Sequence, residues 1–126
     1  RRVLFRSHGL EFCFTNLSFL EKDNPIYFDN QIVKFKISFI SHKRFSKIRL
    51  FIHLYCDDTH LPVSFVKSDA FDVHEGFQST IVELDASILA EGNYFFEIGS
   101  MLLLPNGNHI TLDRPKKSIF FSDLLS

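Results

Sequence analysis

Along "IRLFIHLY", residues 48–55, two kinds of side chain alternate. On an extended chain Ile48, Leu50, Ile52 and Leu54 fall on one face, and Arg49, Phe51, His53 and Tyr55 on the other. The second face has the composition that meets a sugar. A flat aromatic ring lies against the apolar C–H side of a pyranose, and planar polar groups such as guanidinium, amide or carboxylate hold neighbouring hydroxyls with paired hydrogen bonds. Alternate residues of a strand repeat at roughly 7 Å, a spacing that can follow a glycan. Lys34 and Lys36 would join this row if their own strand pairs with residues 48–55. Ordinary packing is the competing account, with Phe51 and Tyr55 covered by a loop or by an exchanged strand.

Other chemistries are carried less well. The six histidines (8, 42, 53, 60, 74 and 109) do not cluster. Cys56, Asp57 and His60 come nearest to a metal group, but one turn offers three potential ligands and no returning pair. No metal and no cofactor is expected. Asp69, Asp72 and Glu75 lie in one loop, which does not give the opposed carboxylates that glycoside hydrolysis needs. There is no G-x-S-x-G nucleophile elbow and no glycine loop for phosphate. Lys34, Lys36, Lys43, Arg44, Lys47 and Arg49 are the one basic cluster, and a sheet edge kept soluble by charge accounts for them. With a net charge of −1, a nucleic-acid partner is not expected.

The elements that position these residues are strands. "QIVKFKISFIS" alternates Val33, Phe35, Ile37 and Phe39 against Lys34, Lys36 and Ser38, which predicts one buried and one wet face. "LEFCFTNLSFLE" alternates, with Leu10, Phe12 and Phe14 on one face, and then changes register after Asn16, which suggests a bulge or a bend. "HKRFSK" reads as a polar link, and "VSFVKS" as an edge strand with Pro62 at its mouth. "DAFDVHEG" is short, acidic and irregular. "ELDASILAEGNYFFEIG" is a strand, a one-turn crossing and a second strand, with Leu89 tucked beneath and Gly92 at the corner. "PNGN" predicts a hairpin with Asn106-Gly107 in a type I′ turn. The expected fold is all-β: an antiparallel β-sandwich of about eight strands, immunoglobulin-like or jelly-roll.

The 126 residues make one domain, and sixteen phenylalanines against no tryptophan suit the space between two sheets. Cys13 and Cys56 sit in alternating runs and are expected to be reduced. No run reaches the 18 apolar residues that would span a bilayer as a helix. The chain starts at "RRVLFRSHG", so residues 1–9 are expected to be a linker from a preceding domain, and residues 10–126 the sandwich.

Val82, Leu84, Leu89, Gly92, Tyr94 and Phe96 follow a pattern of the form v-x-F-x-I-x(4)-L-x-x-G-x-Y. With Val33 to Phe39 and the Ile119–Phe121 run as further carriers, the chain from Leu10 to Ser122 resembles a known family. This is the C-terminal carbohydrate-binding domain of the ATP-binding proteins of O-antigen polysaccharide ABC exporters. The chain departs from the family in having Asp57, Asp58 and Thr59 where an Asp-Gly is frequent, and in lacking tryptophan. The resemblance implies a non-catalytic domain that recognises an exported surface polysaccharide, for which Arg49, Phe51, His53, Tyr55, Lys34 and Lys36, read above from their chemistry, are the candidate contacts. It implies a separate ATPase domain and a membrane permease as partners, at the cytoplasmic side of the inner membrane. It also implies a homodimer formed by exchange of the last strand, through Ile119, Phe120 and Phe121. A structural or protein-binding sandwich without sugar affinity is the alternative.

Overall fold

The structure, a computed structural model, describes residues 2–4, 11–20, 26–28, 31–115 and 119–124. Among the described residues, eleven strands form two sheets. The first holds β1 (Arg2–Leu4), β2 (Phe12–Phe19), β4 (Ile32–Ser41) and β8 (Gly76–Asp85), in the order β1-β2-β4-β8. The second holds β3 (Ile26–Phe28), β11 (Ile119–Leu124), β9 (Gly92–Leu103), β5 (Phe45–Cys56) and β6 (Pro62–Lys67), in the order β3-β11-β9-β5-β6. β10 (His109–Asp113) also pairs with β9, and β7 (Phe71–Val73) with β5. The eight longer strands match the number expected from the sequence. The three-residue strands β1, β3 and β7 come in addition, and are too short to show a period. Ladders are antiparallel except β3 with β11, which is parallel. β1 pairs with β2 from within the stretch expected to be a linker; the rest of that stretch lies outside the described residues.

The core fills the space between the sheets because each long strand turns one parity inward. Phe12 and Phe14 are buried, and so are Leu17 and Phe19. Even and odd positions cannot share a face of a regular strand. The pairing with β4 shifts between Phe14 and Asn16, so Thr15 is the extra residue that returns Leu17 and Phe19 to the core. β4 needs no such device: Val33, Phe35, Ile37 and Phe39 are all buried. Ile48, Leu50, Ile52 and Leu54 of β5 close the core from the other side, with Tyr94, Phe96 and Ile98 of β9.

Three polar contacts fix the edges of this sandwich. The Asp113 carboxylate, buried on β10, accepts from the Phe14 N–H of β2 at 2.9 Å and so ties the two sheets beside the bulge. The corner from β8 to β9 is a 3-10 turn, Ala86–Ile88, capped by Asp85, whose carboxylate accepts from the Ser87 N–H at 2.9 Å. That hydrogen bond holds the Asp85 carboxyl below the usual range. Leu89 is buried there, and Tyr94 Oη donates to the Ala90 carbonyl at 2.6 Å, closing the corner as immunoglobulin-like sandwiches do.

Two local expectations change. β5 begins at Phe45, inside the stretch read as a polar link, because Phe45 is itself a core residue and Lys47 adopts φ 59 to accommodate the irregular pairing with β7. The β9–β10 turn is not type I′. Gly107 N donates to the Leu104 carbonyl, only Gly107 of the loop has positive φ (88°), and Leu104 N bonds to Asn108 O. Pro105 sits at the first central position, and its fixed negative φ selects a type I turn followed by a left-handed glycine. Cys13 and Cys56 are each half-buried, and Cys56 is a free thiol.

Candidate functional site

β5 and β9 run side by side through the middle of the second sheet, with Arg49 opposite Met101, Phe51 opposite Gly99, His53 opposite Glu97 and Tyr55 opposite Phe95. β6 adds Phe65 opposite His53 and Lys67 opposite Phe51, and β11 adds Phe120 opposite Phe95. Opposite residues share a face, so these side chains together form the outer surface of the sheet.

The result is a strip of rings across four strands. Phe120 meets Phe95 at 5.6 Å between centroids, and Phe95 stacks on Tyr55 at 4.9 Å with 14° between planes. Tyr55 stacks with His53 at 6.4 Å, and His53 lies 4.4 Å from Phe65. Phe65 and Phe120, at the two ends, are each 44% exposed. His60 rests on Phe95 at 5.6 Å, so the turn after Tyr55 contributes a ring rather than a ligand.

Phe51 behaves differently from its neighbours. It is only 4% exposed although it faces away from the core. Gly99 is the reason: a Cβ there would stand 2.1 Å from Phe51 Cζ, so the bare backbone lets the ring lie down on β9. His53 and Phe65 flank the ring at 5.4 and 5.8 Å, and the Arg114 guanidinium lies over it at 5.9 Å. Phe51 is thus a floor, while Tyr55, His53 and Arg49 stay half-buried around it.

Charge on this face is mixed. Burial of the ring, then the Arg114 charge, lowers the His53 pKa from its ordinary value; Glu97 opposes them. His53 is therefore a neutral imidazole at pH 7, offering one donor and one acceptor. Arg49 Nε is buried without a hydrogen-bond partner among the described residues. Lys67 extends over the Phe65 ring at 5.3 Å.

Arg49, Phe51, His53 and Tyr55 are therefore brought together, as the strand period predicts. Lys34 and Lys36 are not with them: β4 belongs to the other sheet, so the pairing on which their inclusion depended does not occur. They stand on the opposite outer surface, with Lys34 opposite Glu83 of β8. The basic cluster is divided accordingly, and Lys43 pairs with Glu11 at 3.2 Å. Among the described residues, no group of three or more His, Cys, Asp or Glu side chains could hold a metal ion, and no helix is long and apolar enough to cross a membrane. Phe65, Phe95, Glu97, Gly99 and Arg114 were not anticipated. For Phe95, Glu97 and Gly99 the one sequence signal was the outward parity of β9, which "NYFFEIG" hides by carrying Phe on both faces.

Ile119 and Phe121 are buried in this chain's own core, where Phe121 stacks on Tyr94 at 5.7 Å. Their apolar surface is covered within one chain, while Phe120 points to the aromatic strip. Ser118 lies outside the described residues.

Comparison with known proteins finds the same architecture. The crystal structure of the C-terminal domain of Wzt superposes with a TM-score of 0.73 at 18% identity, over 100% of this chain and 78% of that one. A Niemann-Pick type C2 protein from the Japanese carpenter ant gives 0.58 at 7% identity, covering 96% and 99% of the two chains. A β-glucosidase from Listeria innocua, solved with glucose, gives 0.54 at 12% identity, over 94% of this chain and 16% of that enzyme. This chain shares their β-sandwich fold. No protein-family model matches it, and no curated protein matches it significantly.

Proposed function

We propose that the chain is a non-catalytic carbohydrate-recognition domain that binds a bacterial surface polysaccharide on the outer face of its second sheet. One observation carries this: the strip Phe120–Phe95–Tyr55–His53–Phe65, where rings alternate with Arg49, Glu97 and Arg114 on a face that a sandwich ordinarily leaves polar. Exposed rings at Phe65 and Phe120 offer stacking surfaces, and the guanidinium, carboxylate and neutral imidazole groups offer hydrogen bonds to hydroxyls. The fold likeness to the C-terminal domain of Wzt supports the same reading, in agreement with the sequence resemblance to O-antigen exporter domains. In that role residues 1–9 lead from an ATPase domain, and the domain selects glycan for an ATP-driven permease at the cytoplasmic side of the inner membrane.

Calorimetric titration with the host's own O-polysaccharide is expected to show binding, with Tyr55→Ala and Phe65→Ala each weakening it at least tenfold. Unchanged affinity in both variants would remove the site. No binding by the folded chain at millimolar chain ends would favour the structural, protein-binding alternative, which the burial of Phe51 also fits. In the full-length protein, Tyr55→Ala is expected to stop export while ATP hydrolysis continues.

Dimerisation by exchange of β11 belongs to the same proposal. An exchanged strand would set Ile119 and Phe121 into the partner's core with the contacts they make here, so exchange needs no new interface chemistry. Sedimentation equilibrium is expected to give a dimer at tens of micromolar; a monomer there would rule exchange out.

A further inference from the structure

We propose that the open side of the sandwich, along β8, docks an extended basic segment of a partner protein as an added strand. β8 is ten residues long and pairs with β4 through ten consecutive partners without a bulge. Among the described residues its other edge pairs with no strand. Such an edge presents unpaired N–H and C=O groups, and natural sheets usually blunt it with Lys, Pro or a bulge. β8 has none of these. Instead it exposes Phe77 (77%) and Ile81 (60%), the largest exposures among its apolar residues.

Beside this edge the two sheets part. A cleft of about 420 Å³ opens between β8 and the β6–β7 edge, walled by Leu50, Ile52, Val66, Phe71 and Val82. A strand added to β8 would place alternate side chains in the cleft and the others next to Phe77 and Ile81. Apolar residues therefore suit both rows near the middle of the segment.

Charge selects the occupant. Residues 68–85, which form β7, β8 and the link between them, contain Asp69, Asp72, Glu75, Glu83 and Asp85 and no Lys or Arg. Asp69 and Glu83 line the cleft; Lys67 is the cation at its rim, and Lys34 lies opposite Glu83 on β4. A second copy of β8 would add only further carboxylates to this edge and no cation. A segment with Lys or Arg flanking two or three apolar residues would neutralise them. Like-charge repulsion at such an edge also discourages the chain from pairing with itself, which leaves the edge open for that partner.

The test uses the whole chain, ¹⁵N-labelled, and two synthetic nine-residue peptides of alternating Val and Thr, one flanked by Lys at both ends and one by Glu. The Lys-flanked peptide is expected to shift amide resonances of residues 66–85, with the Glu-flanked peptide binding at least tenfold more weakly. Ile81→Lys, at an exposed position that leaves the core intact, is expected to weaken binding of the Lys-flanked peptide at least tenfold. Glu83→Lys with Asp69→Lys is expected to reverse the preference. Equal binding of both peptides, shifts confined to the aromatic strip, or no shifts at millimolar peptide would overturn the proposal. A dimer in the absence of peptide that Ile81→Lys dissolves would overturn it in favour of self-pairing.

Discussion

Phe96→Ala is expected to cost about 3–5 kcal/mol of folding stability, as full truncation of a buried Phe does. The ring is 1% exposed and lies at the centre of the core. It packs against Phe35 at 5.1 Å, Phe121 at 6.1 Å and Phe19 at 6.4 Å, so it joins both sheets and the last strand. Its neighbours are aromatic and project from strands held in paired sheets, so they cannot collapse into the void. Urea denaturation followed by far-UV circular dichroism measures the loss. Phe120→Ala, at a ring 44% exposed on the outer face, is the comparison and should cost about 1 kcal/mol or less. Equal losses in the two variants would contradict the assignment of inward and outward faces in β9 and β11.

The second large effect is expected at Gly99. A Cβ there meets three atoms of the Phe51 ring at 2.1, 2.6 and 2.8 Å, far inside contact distance. Gly99→Val adds two further carbons, so the ring must leave the surface of β9. The cost is about 1–3 kcal/mol, whether as strain or as lost burial of the ring. The change should also lower affinity for polysaccharide, because Phe51 supports His53 and Phe65. A double-mutant cycle separates this from any effect of valine on the strand itself. In a Phe51→Ala background, Gly99→Val should cost little or even stabilise, since valine favours a strand and now has space. A penalty of the same size in both backgrounds would show that Phe51 is not the obstacle.

The contrast between these two sites marks how far the sequence alone reached. Alternation in residues 32–41 and 48–55 determined which side chains face the core, because a strand has a period of two and water excludes one face. The same rule placed Arg49, Phe51, His53 and Tyr55 together, and the change of parity along residues 10–21 announced a bulge or bend, expected after Asn16 and found just before it, at Thr15. The spacing of Leu89, Gly92 and Tyr94 marked the corner. All of these are local, readable along one strand or one turn.

What the sequence could not supply was which strands lie side by side. Lys34 and Lys36 have the right parity but the wrong sheet, and parity carries no information about the partner. Only the pairing of β5 with β9 sets Gly99 under Phe51, and only the placing of β6 beside β5 and of β11 beside β9 completes the aromatic strip with Phe65 and Phe120. The burial of the outward-facing Phe51 was equally hidden, because it depends on a missing Cβ 48 positions away in the chain. Strand order is decided by the joint packing of all inward faces into one core. That is a property of the whole chain, and no single stretch contains it.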